Sequence, residues 1–253
     1  MKLTFLGTGT SKGIPVIGST HEVCLSTDSR DKRMRSSVLI SWDDFNYVID
    51  CGPDFRIQML NNNITKLDGI VYTHEHSDHT AGLDDIRPFT QKYGDLPIYA
   101  NKRIITNLKE RFDYIFKTEN KYPSAPSVIV NTIKNENFKL GNINVTPIAV
   151  KHGELDIFGY RFDKLAYLTD VSFISEKEKI KLENLDVLVI NALRIKEHPT
   201  HFNLNKALEL IDELKPKRAY ITHISHKLGF HSKVEKQLPK NVFLAFDGLK
   251  VGI

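Results

Sequence analysis

The segment YTHEHSDHTAG, residues 72–82, places three of the chain's ten histidines and an aspartate within six positions: His74, His76, Asp78 and His79. It directly follows DGIVY, an apolar run of the kind that forms strands. Histidines at i and i+2 of an extended segment can point to the same side, and an aspartate and a histidine after a turn can point toward a neighbouring position. Such a loop can hold two metal ions side by side. Neutral imidazole together with carboxylate suits Zn²⁺, Mn²⁺ or Fe.

Three further polar residues close apolar, strand-like runs. His152 ends VTPIAVKH, Asp170 ends KLAYLTD, and His223 ends RAYITH. Strands that carry a polar residue at the same edge of a sheet deliver these side chains to one place. A single histidine at a strand end is ordinary, but three such ends beside the segment 72–82 predict additional ligands for a metal site.

The composition is that of an ordinary globular protein. The chain has 253 residues, of which 41% are hydrophobic and 26% charged, and a formal net charge of +4. We predict one domain, residues 1–253. No apolar run approaches the roughly 18 residues of a membrane span, and the first residues lack a secretory signal pattern, so we expect a cytoplasmic location. Cys24 and Cys51 are too few for a disulfide framework, which fits a reducing compartment.

Strand and helix patterns together predict the fold class. Runs rich in branched and aromatic residues predict strands: KLTFLGT, SSVLISW, FNYVIDCG, DGIVYTH, LPIYAN, INVTPIAVKH, FGYRF, KLAYLTD, DVLVINAL, RAYITH and VFLAFDGLKV. Apolar residues at helical spacing predict a helix over residues 203–214, and we expect others over 102–115 and 175–182. Strands come first and then alternate with helices, which predicts an α/β (α+β) fold of two packed sheets with helices outside, a four-layer αββα sandwich.

The string THEHSDH resembles the H-x-H-x-D-H signature of the metallo-β-lactamase superfamily, and further residues stand where its other motifs belong. The resemblance implies the four-layer fold and two divalent metal ions, either zinc or manganese. It assigns one ion to His74, His76 and His152, the other to Asp78, His79 and His223, with Asp170 between the two. It also gives Asp50, in VIDCGPD, the task of supporting the ligand loop without binding metal itself.

Longer strings are similar to the phosphoribosyl cyclic phosphodiesterase branch of this superfamily, which is associated with the carbon–phosphorus lyase pathway. They are LTFLGTGTSKGIPVIG, RMRSSVLI, IDCGPDFRIQML, GLDDIRPF and HPTHFNL. The similarity implies hydrolysis of a small phosphodiester, such as a cyclic ribose phosphate, by a hydroxide bridging two metal ions. It makes Asp78 catalytic as well as metal-binding, and it places His201 near the leaving group, with nearby His198 as a competing candidate. Arginines in these strings are candidates for charge-assisted phosphate contacts: Arg33, Arg35, Arg56 and Arg87.

The same branch often carries a structural zinc built from a C-x-C-x-x-C segment and a distant histidine. The corresponding segment is STHEVC, whose three ligand positions are Ser19, His21 and Cys24, and the distant ligand corresponds to His226. Because a serine hydroxyl is a poor zinc ligand, the site is weakened or rebuilt. His231 is a hypothetical replacement ligand or, alternatively, a polar residue that opens the next helix. An additional structural zinc is therefore left open.

Three other functions compete with a small-molecule phosphodiesterase. A tRNA 3′-processing endonuclease shares the metal ligands but usually adds a basic, Gly- and Pro-rich arm, and no such insertion is evident. A glyoxalase-type thioesterase would keep the metal centre but fits the N-terminal strings less well. A non-catalytic metal or interaction protein would be expected to have lost some of the seven ligands. We expect a metal-dependent hydrolase without membrane partners, with nucleic acid as the less favoured substrate, and the resemblance also implies a homodimer.

Overall fold

The computed structural model describes residues 1–253 as two β-sheets with helices on their outer faces. In chain order the strands are β1 (Lys2–Gly7), β2 (Ser37–Trp42), β3 (Phe45–Ile49), β4 (Gly69–Val71), β5 (Leu96–Ala100), β6 (Val128–Thr132), β7 (Phe138–Leu140), β8 (Ile143–His152), β9 (Leu155–Phe162), β10 (Leu165–Tyr167), β11 (Phe173–Ile174), β12 (Val187–Asn191), β13 (Arg218–Thr222), β14 (Val242–Leu244) and β15 (Lys250–Gly252). The α-helices are α1 (Glu22–Leu25), α2 (Phe55–Asn61), α3 (Ser77–Thr80), α4 (Arg87–Tyr93), α5 (Lys102–Arg111), α6 (Asp113–Phe116), α7 (Glu176–Lys179), α8 (Leu204–Leu214) and α9 (His231–Glu235).

The strand order brings several strand ends to one edge. The first sheet has the order β15-β1-β2-β3-β4-β5-β6, and the second has the order β11-β8-β9-β10-β12-β13-β14 with β7 paired to β8. Strands β3 to β6 are parallel neighbours in the first sheet. Strands β10, β12, β13 and β14 are parallel neighbours in the second. The chain segments that follow parallel strands leave each sheet at one edge, which is where open α/β sheets usually bind ligands.

Alternating side chains along the strands produce the layers. Val187 and Val189 of β12 lie in an apolar cluster between the two sheets, whereas Leu188 and Ile190 lie in a cluster between the second sheet and its helices. A third cluster fills the space between the first sheet and helices α2, α4 and α5. A strand that is buried on both faces reads as a continuous apolar run, as β12 does. The predicted four-layer αββα sandwich is confirmed.

The predicted helix over residues 203–214 is confirmed as α8. Asn203 accepts a hydrogen bond at its side-chain oxygen from the Lys206 amide, at 3.0 Å. This contact satisfies one of the N–H groups that the first turn of a helix leaves free. The helix ends at Lys215, which adopts a left-handed conformation, directly before Pro216, which cannot continue a helix.

The other two predicted helices are shorter than expected. Residues 102–115 form α5 and most of α6, with a break at Phe112, and residues 175–182 form α7 followed by a 3₁₀ turn, Ile180–Leu182.

None of the α-helices has the length and apolarity that crossing a bilayer would demand.

The prediction of a single strand for VFLAFDGLKV is wrong, because this run forms two strands in different sheets. Strand β14 pairs with β13, and β15 pairs with β1. Between them, Asp247 accepts hydrogen bonds from Thr8 Oγ1 and from the Met34 amide, both at 2.7 Å. Gly248 follows with a φ of +88°, in the left-handed region that favours glycine. The partners that turn the chain here are remote in sequence, so the local pattern does not reveal the crossing.

Candidate metal centre

Seven imidazole and carboxylate side chains from both sheets gather at the shared edge. The His74 cluster consists of His74, His76 and His152, and the Asp78 cluster consists of Asp78, His79, Asp170 and His223. Within each cluster the potential ligand atoms lie within 4.8 Å of one another. The first sheet supplies the ligand loop, residues 73–80, which follows β4, and the second sheet supplies residues at or after the ends of β8, β10 and β13. The structure therefore brings together all seven residues that the sequence singles out.

The geometry of the His74 cluster matches three nitrogen ligands around one ion. His74 Nε2 lies 3.1 Å from His76 Nδ1, close to the separation of about 3.4 Å expected for two imidazole nitrogens on one tetrahedral ion. The ring centroid of His152 lies 5.5 Å from that of His74 and 5.2 Å from that of His76. His152 Nδ1 donates a hydrogen bond to the Thr200 carbonyl oxygen at 2.7 Å. This bond leaves Nε2 of His152 as the nitrogen with a free lone pair.

Asp50, which directly follows β3, orients two histidines of the ligand loop. Its fully buried carboxylate accepts hydrogen bonds from the Thr73 amide and hydroxyl, both at 2.8 Å, and from His79 Nδ1 at 2.7 Å. Because the Thr73 hydroxyl gives its proton to Asp50, His74 Nδ1 must be the donor in its 3.0 Å contact with Thr73 Oγ1. Both histidines therefore present Nε2 to the clusters, as metal-binding histidines with a supporting acceptor do.

Asp170 lies between the two clusters. Its Oδ2 is 3.8 Å from His74 Nε2 and 3.6 Å from His79 Nε2, and its Oδ1 is 2.9 Å from His223 Nδ1. The Thr169 hydroxyl donates to Oδ1 at 2.6 Å, which fixes the carboxylate. A carboxylate in this position can contact an ion in either cluster.

The residues present fit divalent metal ions. Two buried ring nitrogens, His79 Nε2 and His223 Nδ1, have no hydrogen-bond partner, although buried polar groups are nearly always paired. Each nonetheless lies close to a carboxylate oxygen, His79 Nε2 at 3.2 Å from Asp78 Oδ2 and His223 Nδ1 at 2.9 Å from Asp170 Oδ1, without the geometry of a hydrogen bond. A cation between these lone pairs would satisfy them. Imidazole and carboxylate donors suit zinc and manganese.

Without metal, the Asp78 cluster compensates its own charges. Burial alone would lower the pKa of His79, but the carboxylates around it, Asp78 first, raise that pKa well above its ordinary value. Burial would raise the pKa of Asp170, but the imidazoles of His223 and His79 hold it well below its usual range. The raised pKa favours a proton on His79, so a metal ion competes with that proton at Nε2.

His201 lies beside both clusters. Its Nε2 is 3.4 Å from Asp170 Oδ2, and its ring centroid is 4.6 Å from that of His152 and 5.1 Å from that of His223. Burial lowers the pKa of His201 to about 4, so the imidazole is neutral near pH 7. The Thr200 hydroxyl contacts Nδ1 at 2.9 Å, on the side of the ring away from Asp170. His201 thus presents Nε2 to the space next to the candidate ligands.

The N-terminal zinc ligands expected from the resemblance are only partly assembled. The rings of His21 and His226 lie 4.8 Å apart, and His226 Nδ1 is buried without a hydrogen-bond partner. These two residues and Cys24 do not form a group of three ligand atoms as close as the two clusters do. His231 has a different environment: its Nδ1 is 3.1 Å from Arg33 Nη2, and it begins helix α9. A guanidinium next to the ring disfavours a second cation there, and His231 is not grouped with His21, Cys24 and His226.

The four arginines considered for phosphate contacts have other surroundings. Arg33 is buried and donates hydrogen bonds within the protein. Arg35 and Arg87 form ion pairs with nearby aspartates. Arg56 is exposed and lines a separate cavity of about 420 Å³. We therefore assign no phosphate contact to Arg56 or Arg87.

Two threonines that orient the histidines were not expected from the sequence. Thr73 directly precedes His74, and a hydroxyl residue next to the first ligand is a signal that could have been used. Thr200 orients His152 through its backbone carbonyl oxygen. A backbone acceptor leaves no trace in residue identity, so sequence reasoning could not have found it.

The comparisons with known proteins agree with this geometry. The model of the β-lactamase superfamily domain matches residues 45–224, which include every residue of both clusters. The crystal structure of a new diphosphatase from the PhnP family superimposes with a TM-score of 0.93 and 42% sequence identity, covering 100% of this chain and 97% of that one.

The chain is also similar in sequence to proteins with other names. A protein named octanoyltransferase from Porphyromonas gingivalis is 36% identical over 99% of this chain, and this chain spans about half of it, 51% of its length. The exodeoxyribonuclease YycJ from Bacillus anthracis is 28% identical over 74% of this chain and 76% of its own length.

Metal affinity should rise with pH, because the metal must displace a proton from His79. Because the carboxylates around His79 raise its pKa, we expect the apparent affinity to increase about tenfold per pH unit for each proton released, at pH values below that pKa. Calorimetric titration in two buffers of different ionisation enthalpy counts the protons. Asp50→Asn, which removes one of the charges that raise this pKa, should weaken the pH dependence. Binding heats that are independent of the buffer would contradict the expectation.

Proposed function

Because the chain belongs to the PhnP family of the β-lactamase superfamily, we propose that it is a phosphodiesterase that hydrolyses a small substrate using two divalent metal ions. The observation that carries this proposal is the pair of adjacent clusters with Asp170 between them. Nitrogen and oxygen donors from both sheets surround two adjacent positions, and two buried unpaired nitrogens, His79 Nε2 and His223 Nδ1, belong to the Asp78 cluster. Two adjacent metal positions are the usual arrangement for displacement at phosphorus.

Each cluster would hold one ion, with Asp170 contacting both. When bound, such ions supply an activated water and stabilise negative charge on phosphoryl oxygens. The chain's own residues set the geometry: Asp50 and the Thr200 carbonyl orient ligand histidines, and Asp78 belongs to the centre as a ligand. The proposed catalytic role of Asp78 is therefore exercised through metal binding. Zinc and manganese both fit this donor set.

His201 would act on the leaving oxygen. Its ring is neutral near pH 7 because burial lowers its pKa to about 4, and its Nε2 side faces the clusters. A neutral imidazole with a proton on Nε2 can donate a hydrogen bond to an oxygen that gains charge as the phosphorus–oxygen bond breaks. His198 is less suited, because it contacts His201 Nδ1 at 3.2 Å, on the side of the ring away from Asp170.

Small substrates are the first candidates, and nucleic acid is the second. The similar PhnP-family structure is that of a diphosphatase, and cyclic phosphodiesters and diphosphates both offer a phosphoryl group with a leaving oxygen. The similarity to an exodeoxyribonuclease favours a polynucleotide phosphodiester as the alternative. The formal net charge of +4 is small for a protein that depends on phosphate contacts along a nucleic acid.

A substrate panel tests the proposed function. The purified, metal-loaded protein is assayed with ribose 1,2-cyclic phosphate, ADP-ribose, precursor tRNA, single-stranded DNA and an acyl thioester. We expect the highest kcat/KM for a small phosphate ester, and we expect His74→Ala to abolish it through lost metal. A preference for tRNA or DNA would support the nuclease alternative, and a preference for the thioester would refute a phosphodiesterase.

Replacing His201 should slow turnover without removing metal. We expect His201→Ala to lower kcat by about 10²- to 10⁴-fold on substrates with poor leaving groups and much less on a bis-aryl phosphodiester, whose leaving group needs little help. Elemental analysis should find the metal content of the wild type. His198→Ala serves as the neighbouring comparison, with a smaller loss expected. Equal rates for His201→Ala and the wild type would remove this residue from the mechanism.

Metal counting decides whether a structural zinc exists beside the proposed pair. His21 and His226 approach each other, but the Arg33 guanidinium beside His231 Nδ1 disfavours His231 as a fourth ligand. We therefore expect two ions per chain after dialysis against trace zinc. Three ions that fall to two in the double variant His21→Ala/Cys24→Ser would instead establish the third site. The same measurement after manganese loading compares the two metals.

A further inference from the structure

We propose that Arg103 is a positioning residue for the His74 cluster: it holds the ligand loop of the first sheet against the β8–β9 hairpin of the second. The Arg103 guanidinium reaches both segments at once. Its Nε lies 2.8 Å from Glu75 Oε1, and its Nη2 donates a hydrogen bond to the Asp156 carbonyl oxygen at 2.6 Å. A planar guanidinium with several fixed donors is suited to joining two acceptors.

Both contacts lie next to the three histidines. Glu75 stands between His74 and His76 in the ligand loop. Asp156 belongs to β9 and pairs with Lys151, while the adjacent residue His152 pairs with Leu155. Arg103 itself is on α5, a helix of the outer layer of the first sheet. One side chain therefore connects the two parts of the chain that must converge for His74, His76 and His152 to contact the same ion.

Arg103 continues a series of contacts between the same two segments. The Tyr160 hydroxyl donates to the Tyr72 carbonyl oxygen at 2.6 Å, and the Phe158 amide donates to the Thr73 carbonyl oxygen at 3.2 Å. In these contacts the residue numbers rise towards the ligand loop as they fall along β9, so the next contact between the two segments should involve residues near 75 and 156. At that point Arg103 provides the link, in place of a direct bond between the two backbones.

The Glu75 carboxylate also depends on Arg103. The Glu75 side chain is 18% exposed, and its Oε2 is buried without a hydrogen-bond partner. Removing Arg103 would leave a carboxylate with little solvation and without its ion-pair partner, and the carboxylate would gain from moving toward water. Because Glu75 lies between two ligands, such a movement displaces His74 and His76 relative to His152.

The effect should be local to one metal position. Arg103 is 42% exposed, and exposed ion pairs contribute little to global stability. The Asp78 cluster is supported by Asp50, through His79, and by Thr169, and Arg103 contacts neither of them. Loss of Arg103 should therefore weaken binding in the His74 cluster and leave unfolding of the metal-free chain almost unchanged. A residue with a merely structural role would shift unfolding or affect both metal positions.

The test is a two-site zinc titration against a fluorescent chelator. We expect Arg103→Met to lower the affinity of the His74 cluster for zinc about tenfold, the lower end of the range for residues that support metal ligands. The affinity of the Asp78 cluster should be unchanged. Lys102→Met is the matched control, because it removes the same charge from the neighbouring position on α5. Arg103→Lys keeps the positive charge but lacks the planar guanidinium with several fixed donors, so we expect it to retain only part of the zinc affinity.

A double variant that contains His152→Ala identifies which metal position the loss of Arg103 affects. In His152→Ala the His74 cluster is already incomplete, so adding Arg103→Met should not change the affinity of the remaining ion. Unchanged affinities in Arg103→Met, an equal loss at both positions, or the same loss in Lys102→Met would overturn the role of Arg103. The inference rests on the proposed two-metal centre. A wild type that binds fewer than two ions would overturn both, whereas the outcomes above leave the proposed function intact.

Discussion

The position of the Asp170 carboxylate among imidazoles from both sheets is the constraint on which the candidate site depends. It lies within 4 Å of nitrogens of His74 and His79, which come from the first sheet, and of His201 and His223, which come from the second. A buried carboxylate is costly unless opposite charge or hydrogen bonds compensate it. Here the surrounding groups provide that compensation, and they hold the pKa of Asp170 well below its usual range despite burial. A shift of the Asp170 carboxylate would therefore affect both clusters, and its position depends on the contact between the sheets.

The backbone of the candidate site is also constrained, because several of its residues have positive φ values. Nine non-glycine residues have positive φ values, and the three buried ones all belong to the site: Asp50, Asp170 and His223, at 65°, 60° and 52°. Such conformations cost on the order of 1–3 kcal/mol each and persist where the surroundings impose them. Each of these residues follows a strand, where the left-handed turn ends the extended run and directs the side chain to the shared edge. The remaining six are exposed, where a left-handed residue simply turns the chain at the surface.

The sequence reveals the ligands because each ends or follows an apolar strand. The length of an apolar run shows where a strand stops, and strand ends at one edge lie close together, so His152, Asp170 and His223 could be grouped without a structure. The same reasoning fails for His231, whose position depends on residues far away in the chain. Its ring contacts Arg33 and its amide donates to Asp31 Oδ1, residues 198 and 200 positions earlier. The fold class followed from periodicity, but no periodicity records that VFLAFDGLKV passes from one sheet to the other.

The role of Arg103 could not be read from the sequence for a related reason. One of its partners is a backbone carbonyl oxygen, and the other is a glutamate whose neighbours in the sequence attract attention as ligands. A lysine- and arginine-containing helix such as α5 has the composition of an ordinary solvated surface. Only the spacing of the two sheets shows that one of its arginines reaches both segments.

The two clusters differ in charge, and this difference explains why positioning matters more in one of them. The Asp78 cluster contains two carboxylates, so Coulomb attraction favours a cation there even when distances are imperfect. The His74 cluster contains only imidazoles, which are neutral when they bind metal, and it shares a carboxylate only through Asp170. Its affinity must come from the convergence of three nitrogens, which arise from different sheets. A contact that holds the ligand loop against the β8–β9 hairpin therefore acts on the position that has less negative charge of its own. His76 is also the exposed member of the two clusters, so the His74 cluster is the more open to solvent.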